Sequence, residues 1–407
     1  MTAPHALGAG DLDHEQLATL AKEYLLAGHL IDRAGMPHVV ARGVDAMRDV
    51  AVDEWMAASP VYTTRMQRLL GFEGDTVETC FKGMQIDVGA PPEFMDFRYE
   101  VTDDHHGRFH LDHCGALMDV EPLGDKFVVA MCHHIEDPTF DATGWATNPR
   151  LRMRPVHRPP RRPADRRPHC EWSVTIDEAA EPGLAPSQAA VLGRSKAARL
   201  PLAVIATPEG APDGLLDYAG PLDPDLQMRD FATPALVAIL DEVCLQGQLL
   251  AMGFALAVER RYGPDAAVET TEKQCTGVAG VVAERLRRAL ALGAGTADVA
   301  TVFELHPAFR PRGYVDWDVV VDGDVVRLRL GDCAATEEEG FHSWITLLAS
   351  GHDRALGAVA GAVDRHWVVD AEGPRQWTVR WTEEPAEEPA EVALTKFSTG
   401  VKFGFDR

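Results

Sequence analysis

The sequence predicts an α+β protein built from two tandem repeats, each with a helical N-terminal part and a small antiparallel sheet, packed as a pseudo-dimer. Three observations lead to this fold class. The chain of 407 residues is too long for one ordinary core, which favours two domains of similar size. The hydrophobic pattern changes from helical to extended spacing within the first half, and similar residues recur about 219 positions later.

The first repeat is predicted to begin with helices. Within 17–33, the apolar residues follow the three-and-four spacing of one buried helix face. They are Leu17, Leu20, Ala21, Tyr24 and Leu25. Residues 36–58 and 61–71 have a similar periodicity, and we expect each of them to form a helix as well.

Extended segments follow these helices. The predicted strands are 95–101, 108–122 and 126–131. Asp137 and Pro138 then predict the start of a helix that ends near Thr147, because Asp is a good N-cap and Pro suits the first helical position. The segment 170–177 is predicted to be a strand that closes the unit.

The second half repeats the first at a nearly constant offset. Residues 23–30 resemble 242–249 at an offset of 219, and residues 64–68 resemble 284–288 at an offset of 220. Further matches join 95–97 to 315–317, Cys114 to Cys333, Asp137 to Asp353, and 170–172 to 375–377. We therefore expect a tandem duplication, because an offset held over about ninety residues is hard to obtain by chance.

This repetition divides the chain. We predict a first repeat over 1–177, a Pro-, Gly- and Ala-rich connection over 178–232, and a second, degenerate repeat over 233–407. The offset falls to 205 at the closing strand, which fits the loss of the Arg- and Pro-rich loop 150–167 from the second copy. Two copies of one fold would most simply pack as a pseudo-dimer.

Composition favours a protein of the cytoplasm. The formal net charge of −24 disfavours a nucleic-acid or membrane partner. The chain contains no run of eighteen apolar residues, which is the length that would predict a transmembrane helix. The N-terminus lacks the basic and apolar regions of a signal peptide, and seven cysteines do not suggest a disulfide framework. We expect a cytoplasmic protein with reduced thiols and a small-molecule substrate. Whether the protein forms a homo-oligomer stays open.

Chemically reactive side chains are concentrated in 109–137. The segment holds His110, Asp112, His113, Cys114, Cys132, His133, His134, Glu136 and Asp137. Matching positions of the second copy carry Arg329, Asp332, Leu348, Ala349 and Ser350. Because the second copy is expected to fold without these groups, the cluster is predicted to be functional and the second repeat to be a scaffold. Cys114 recurs as Cys333, so a structural role fits this cysteine equally well.

Two kinds of site fit this cluster. In the first, Cys132 attacks an electrophilic carbon, and the helix start predicted at Asp137 lowers the pKa of its thiol. The groups that would move the proton or orient the imidazole are His134, His133, Asp137 and Glu136. In the second, a Zn or Fe ion activates a water. Its ligands would be His110, Cys114, Cys132 and His134, and strand alternation places His110, Asp112 and Cys114 on one face. The sequence leaves both chemistries open.

An arginine-rich loop is the third candidate feature. Residues 150–167 contain eight arginines in an otherwise acidic chain. Arg150, Arg152 and Arg154 are predicted to bind a carboxylate or phosphate group of the substrate. The alternative is a solvated loop that complements the acidic surface.

Short motifs in the first repeat resemble the L-2-amino-thiazoline-4-carboxylic acid hydrolase-like family. They are Cys114 in a strand, Cys132 with Asp137 ahead of a helix, and the closing Cys170-x-Trp172. The resemblance covers about 15–177, with a degenerate echo in 235–381. It implies a hydrolase that opens a C–N or C–S bond in a small carboxylated molecule. The alternative class is a non-catalytic protein that binds a metal or a small ligand.

Overall fold

The computed structural model describes residues 5–207 and 210–398. These residues form helices and two four-stranded antiparallel sheets, so the α+β prediction is confirmed. Helix α1 begins where the sequence supplies both a cap and an apolar stripe. Asp13 accepts a hydrogen bond from the Gln16 backbone N–H, and the helix behind it is buried on all sides from Tyr24 to Met36.

The first half contains six of the described helices and four strands. The helices are α1 (His14–Val40), α2 (Val44–Leu69), α3 (Val77–Gln85), α4 (Gly115–Val120), α5 (Asp125–Val129) and α6 (Glu136–Trp145). The strands are β1 (Met95–Asp103), β2 (His106–Cys114), β3 (Leu151–His157) and β4 (Cys170–Ile176). A π-helical segment, Ala130–Ile135, joins α5 directly to α6. The predicted closing strand at 170–177 is therefore confirmed.

The rest of the described chain contains seven more helices and four strands. The helices are α7 (Ser187–Leu192), α8 (Thr233–Tyr262), α9 (Pro264–Ala289), α10 (Thr296–Leu305), α11 (Trp344–Ala349), α12 (Arg354–Val363) and α13 (Ala390–Ser398). The strands are β5 (Trp317–Asp322), β6 (Val325–Leu330), β7 (Trp367–Gly373) and β8 (Gln376–Trp381). Of these elements, α7 lies in the predicted connection 178–232.

The two sheets have the same connectivity. Their strand orders are β1-β2-β4-β3 and β5-β6-β8-β7, with every neighbouring pair antiparallel. In the first sheet Phe109 lies opposite Trp172, and in the second Leu328 lies opposite Trp377. In each half, a tryptophan of the last strand in the chain, β4 or β8, therefore packs beside a large apolar residue of the second strand of its sheet.

The helix predictions need one correction. The segment 17–33 lies within α1, but 36–58 and 61–71 are not separate helices. The chain turns earlier, at Gly43, whose φ of 116° lies in the left-handed region that glycine tolerates. Helix α2 then runs through Pro60 without ending, because tertiary packing outweighs the local tendency of proline to stop a helix.

The strand predicted at 126–131 is wrong. These residues form α5 and the start of the π-helical segment, and the strand predicted at 108–122 ends at Cys114. A short apolar run has no periodicity that separates a strand from a buried helix. Phe127 and Met131 are four residues apart and line the same cavity, which is helical spacing.

The predicted helix start at Asp137 is also wrong. Helix α6 begins at Glu136 and continues from the π-helical segment, whose residues are already helical. The backbone N–H groups near Asp137 are therefore those of a continuous helix rather than a free N-terminus. The local field that was expected to activate Cys132 is absent at this place.

Two ion pairs join the halves in a reciprocal way. Arg65 on α2 pairs with Glu242 on α8, with Nη2 and Oε1 separated by 2.6 Å. Arg285 on α9 pairs with Glu23 on α1, with Nε and Oε2 also 2.6 Å apart. Each pair joins the second long helix of one half to the first long helix of the other, so the long helices of both halves form one packed layer.

Helix α8 is long and apolar enough to cross a membrane, judged by length and composition alone. Its most apolar window is 89% buried inside the protein. Leu249, Leu250 and Phe254, for example, are fully covered by other helices. Packing in the core therefore accounts for the composition of this helix.

Candidate functional site

A cavity of about 800 Å³ lies in the first half, between the helices α1 and α2, the sheet face of β1 and β2, and α6. Its walls are mostly apolar. The larger apolar side chains that line it are Met36, Met47, Met84, Met95, Met118, Met131, Trp55, Phe97, Phe127 and Phe140. Enclosed cavities of this size, with a few polar groups in an apolar wall, are the usual form of small-molecule sites.

Arg33 is the cationic group of the cavity wall. Its Nη2 lies 2.5 Å from Asp119 Oδ2, and its guanidinium carbon lies 4.6 Å above the ring of Phe94. The side chain is only 7% exposed. Within the described residues its Nε and Nη1 have no hydrogen-bond acceptor. A buried guanidinium with unused donors is costly in a folded protein unless something else supplies the acceptor.

A pair of carboxyl groups lies beside this arginine. Asp32 lines the cavity and accepts a hydrogen bond from Trp55 Nε1 at 3.3 Å, and Glu54 lies against it, fully buried. Burial raises the pKa of Asp32 to about 6. Burial, reinforced by the charge of Asp32, raises the pKa of Glu54 well above its usual value. Burial therefore keeps a proton on Glu54 to a higher pH than an exposed carboxyl group would keep it, whereas Asp32 is mainly ionised at neutral pH.

His29 is the third polar group at this end of the cavity. Its ring centroid lies 4.5 Å from that of Phe94, and the residue is only 5% exposed. Burial lowers the pKa of His29 to about 3, and the neighbouring charge of Arg33 acts in the same direction. The imidazole is therefore neutral at physiological pH and can accept or donate one hydrogen bond.

Glu136 is the member of the predicted cluster that lines the cavity. It is the first residue of α6, and its Oε2 is buried without a hydrogen-bond partner among the described residues. Burial raises the pKa of Glu136 to about 8, against the opposing effect of Arg158. This carboxyl group is therefore largely protonated at neutral pH and can act as a proton donor.

Three buried thiols lie close enough to Glu136 to feel its charge, and none of them lines the cavity. Burial raises the pKa of Cys132 and of Cys170 well above the usual value, and it raises the pKa of Cys114 to about 12. In all three cases the charge of Glu136 is the second cause. The Sγ of Cys114 accepts a hydrogen bond from the Leu117 backbone N–H at 3.4 Å and caps α4. The thiol form of Cys132 is thus favoured over the thiolate.

His133, His134 and Asp137 face a different space. They line a second cleft of about 420 Å³, to which Arg48 and Arg261 also contribute. His133 Nε2 forms a hydrogen bond with the carbonyl oxygen of Pro159 at 2.7 Å. Asp137 forms an ion pair with Arg158. The predicted cluster is therefore divided between an inner cavity and an outer cleft.

The shared strand face predicted for His110, Asp112 and Cys114 is wrong. The ladder pairs Asp96 with His113 and Phe97 with Leu111, so Asp112 has no opposite residue and forms a bulge. The bulge reverses the alternation that follows it. The side chain of His110 is 40% exposed, and its Nε2 lies 3.4 Å from Asp112 Oδ1. Cys114, in contrast, is buried.

The four tentative metal ligands do not converge. His110 lies on the open sheet face, Cys114 and Cys132 are buried beside Glu136, and His134 faces the outer cleft. In the part of the chain that the structure describes, no group of three or more His, Cys, Asp or Glu side chains has the arrangement of a metal site.

The three predicted substrate-binding arginines bind the protein itself. Arg150 Nε donates to the carbonyl of Ala180 at 3.0 Å, and Arg154 Nη1 donates to Asp141 Oδ1 at 2.9 Å. Arg152 Nη1 donates to the carbonyls of its neighbours in the chain. Among the described residues that line the large cavity, none is one of these three.

The sequence contained a signal for four polar residues of α1 and α2, of which three line the cavity and the fourth, Glu54, lies beside Asp32. At the same offsets of 219 and 220, these four residues have neutral or apolar counterparts. The pairs are His29 and Gln248, Asp32 and Ala251, Arg33 and Met252, and Glu54 and Gln274. None of these four residues belongs to the cluster predicted from the sequence at 109–137. Comparison of the two halves along α1 and α2 would have identified them.

In comparisons with known proteins, this chain matches no family model, no curated protein and no solved structure. The activity that the family resemblance implies therefore stays a prediction.

Proposed function

We propose that this protein is a cytoplasmic hydrolase that acts on a C–N or C–S bond of a carboxylated molecule held in the cavity of the first half. One observation carries the proposal. Arg33 and Glu136 line the same cavity, and each has a buried polar atom that no described residue satisfies. Such groups are rare in folded proteins, and a bound ligand with a matching acceptor and donor would explain both.

Arg33 is the proposed carboxylate anchor. Its ion pair with Asp119 holds the guanidinium in place and uses Nη2, which leaves Nε and Nη1 as donors. These two donors point to different sides of the guanidinium, so a ligand carboxylate accepts a charge-assisted hydrogen bond from one of them. This role replaces the one expected for Arg150, Arg152 and Arg154, each of which donates to other groups of the protein and lies outside the cavity lining.

Asp32 and Glu136 are the proposed base and acid. The ionised Asp32 accepts a proton from a water molecule as its oxygen bonds to the carbon of the scissile bond. The protonated Glu136 donates its proton to the nitrogen or sulfur atom that leaves. One water is consumed, and the two carboxyl groups return to their starting states by proton exchange with solvent. Environments that push two carboxyl pKa values apart, here to about 6 and about 8, are typical of such acid–base pairs.

We further propose that the two halves are tandem copies packed as a pseudo-dimer, the second serving as a scaffold. The reciprocal ion pairs support this. Glu23 and Glu242 differ in number by 219, and Arg65 and Arg285 differ by 220, which are the offsets of the sequence repeat. In a twofold interface, residue i of one unit contacts j of the other, and j contacts i.

A thiolate mechanism through Cys132 and a Zn- or Fe-dependent one remain alternative proposals for the same reaction. The apolar lining of the cavity also favours a second candidate function, a binding protein that releases its ligand unchanged. Turnover of a bound ligand distinguishes the hydrolase from the binding protein.

The test is hydrolysis by the purified full chain. Probes are 2-amino-thiazoline-4-carboxylic acid and a panel of N-acyl amino acids and thioether carboxylates, each beside its carboxamide. Release of thiol and of amine is measured. We expect carboxylates to be hydrolysed in preference to carboxamides, and Arg33→Met to lose about 10- to 100-fold in kcat/KM.

Arg150→Met distinguishes the two arginine sites, because it removes an arginine that was predicted to bind substrate but lies outside the cavity. Equal turnover of carboxylates and carboxamides, or a loss from Arg150→Met as large as from Arg33→Met, would contradict the proposal. Arg33-dependent binding without turnover would support the binding protein instead.

A further inference from the structure

The size of the cavity exceeds what a small ring carboxylate needs. A volume of about 800 Å³ is in the range that encloses a drug-sized ligand. A molecule the size of an amino acid would reach Arg33 and Glu136 but would leave most of the apolar wall against water. That wall contributes to binding only when a ligand covers it.

Methionine dominates this wall. Six of the twelve methionines of the chain line the cavity. An unbranched, polarisable side chain adapts its shape to different apolar partners and packs well against rings. The aromatic rings of Trp55, Phe97, Phe127 and Phe140 add flat apolar surfaces to the same wall. A surface of this kind suits a bulky apolar body rather than a polar heterocycle.

The second half indicates that these methionines are not needed for folding. The positions that match Met36, Met47 and Met95 carry Ala255, Ala267 and Val315. All three smaller residues are fully buried. Since the same framework packs there with smaller side chains, the methionines of the first half serve the cavity.

The rim of the cavity is apolar too. Leu123 and Leu394 line it and are 59% and 39% exposed. Leu123 follows α4, and Leu394 belongs to α13, so the opening lies between two elements that are distant in sequence. Exposed leucines at an opening cost little in a structure that admits apolar ligands and mark where such a ligand passes.

We infer that the ligand of this cavity is an amphipathic carboxylate, with its carboxylate on Arg33 and a bulky alkyl or aryl body against the methionines. This inference rests on the proposed function and names its substrate class. It places the scissile C–N or C–S bond near Glu136, between the anchored carboxylate and the apolar body. Bond cleavage by water then separates the apolar part from the anchored part, with no other reactant required.

Binding of linear saturated carboxylates, from butanoate to dodecanoate, tests the inference. Affinity for the full chain is measured by calorimetry and by the change in intrinsic tryptophan fluorescence, with the alcohol of each length as a control. We expect the affinity to rise about three- to fourfold per added methylene until the cavity is full. Each carboxylate should bind more tightly than its alcohol, and Arg33→Met should abolish that preference without flattening the length dependence.

A second variant probes the volume of the cavity. Ala51 lines the cavity on α2, so Ala51→Phe, which fills part of the space, should weaken the binding of dodecanoate at least tenfold and that of butanoate much less. Ala46→Phe, on the same helix outside the cavity lining, is the matched control. If Ala51→Phe does not fold, the length series on the natural chain still decides.

A flat length series, or one in which alcohols bind as well as carboxylates, would overturn the inference. The two proposals fail in different ways. Arg33-dependent hydrolysis of short carboxylates with a flat series would leave the function standing and remove the substrate class. A rising series with no hydrolysis of any probe would leave the ligand class standing and remove the enzyme.

Discussion

The two halves of this protein share a strand order and a set of long packed helices, but they differ in what those helices bury. In the first half, α1 and α2 carry His29, Asp32, Arg33 and Glu54 towards one region. In the second, α8 and α9 carry neutral residues at the matching positions. Because burying charged groups is costly, their presence in only one half indicates that the fold does not require them.

The contrast is clearest at one position. Gln274 donates a hydrogen bond to the carbonyl of Ile31 at 3.0 Å and accepts one from Trp344 Nε1 at 3.2 Å. Its counterpart Glu54 is a buried carboxyl group that lies against another carboxyl group. The glutamine completes a core, whereas the glutamate maintains a proton beside a cavity. The first half thus retains a costly arrangement, as functional sites commonly do.

The largest effect should come from removing the acid of the first half. Glu136→Gln keeps the size of the side chain but removes its transferable proton, so we expect kcat to fall by about 10²- to 10⁴-fold with little change in KM. Asp137→Asn, one residue away in the outer cleft, should retain most of the activity. If both variants lose activity equally, the outer cleft belongs to the site, and the division between cavity and cleft is wrong.

The pH dependence of hydrolysis should be bell-shaped, with its maximum near pH 7. Below a pKa of about 6, Asp32 is protonated and cannot accept a proton, and above a pKa of about 8, Glu136 has lost the proton that it donates. Values of kcat/KM measured between pH 5 and pH 9 define the acidic and the alkaline limb of this profile. Glu136→Gln should lose the alkaline limb, and an alkaline limb that persists in this variant would assign it to another group.

The reciprocal ion pairs should differ in strength. Arg65 and Glu242 are both more than nine-tenths buried, and Arg65 also donates to the carbonyls of Ala198 and Leu200. Arg65→Met should therefore lower the free energy of unfolding by about 3–5 kcal/mol. Arg285→Met, in the more exposed pair, should cost about 1 kcal/mol or less. Urea unfolding measures both, and equal costs would contradict the difference in burial.

Glu54→Gln, which copies the second half into the first, should stabilise the protein. The folded state holds the proton of Glu54 above the pH at which the unfolded chain releases it, so stability is lost as pH rises above about 4.5. The gain in Tm should therefore be larger at pH 8 than at pH 5, while hydrolysis falls. A gain that does not depend on pH would mean that Glu54 is ionised in the folded protein.

The smallest effect concerns the cysteines. Cys333 is partly exposed and Cys132 is buried, with a pKa raised by burial and by Glu136. Iodoacetamide at pH 7.5 should modify Cys333 first, as mass spectrometry of the peptides would detect, and Cys333→Ala should leave hydrolysis unchanged. Rapid modification of Cys132 with loss of activity would restore the thiolate mechanism.

Local pattern was sufficient for much of the fold. The apolar stripe of 17–33 predicted α1, and the alternation at 170–177 predicted β4, because each records which residues face a core. The comparison of copies also located the half that carries unusual polar groups. Glu136 belongs to the dense cluster at 109–137, whereas Asp32 and Arg33 lie in a helix that its apolar pattern already explains.

By itself, the sequence determined most of the element types, the recurrence near an offset of 219 and the acidic character of the chain. Tertiary structure alone decided that the bulge at Asp112 separates His110 from Cys114, and that Arg33 meets Asp119 across a cavity. The physical reason is the distance along the chain over which each kind of information acts. Periodicity reports the environment of neighbours along the chain, whereas a cavity and the pKa values of its carboxyl groups depend on how distant elements pack, and on the space that they leave unfilled.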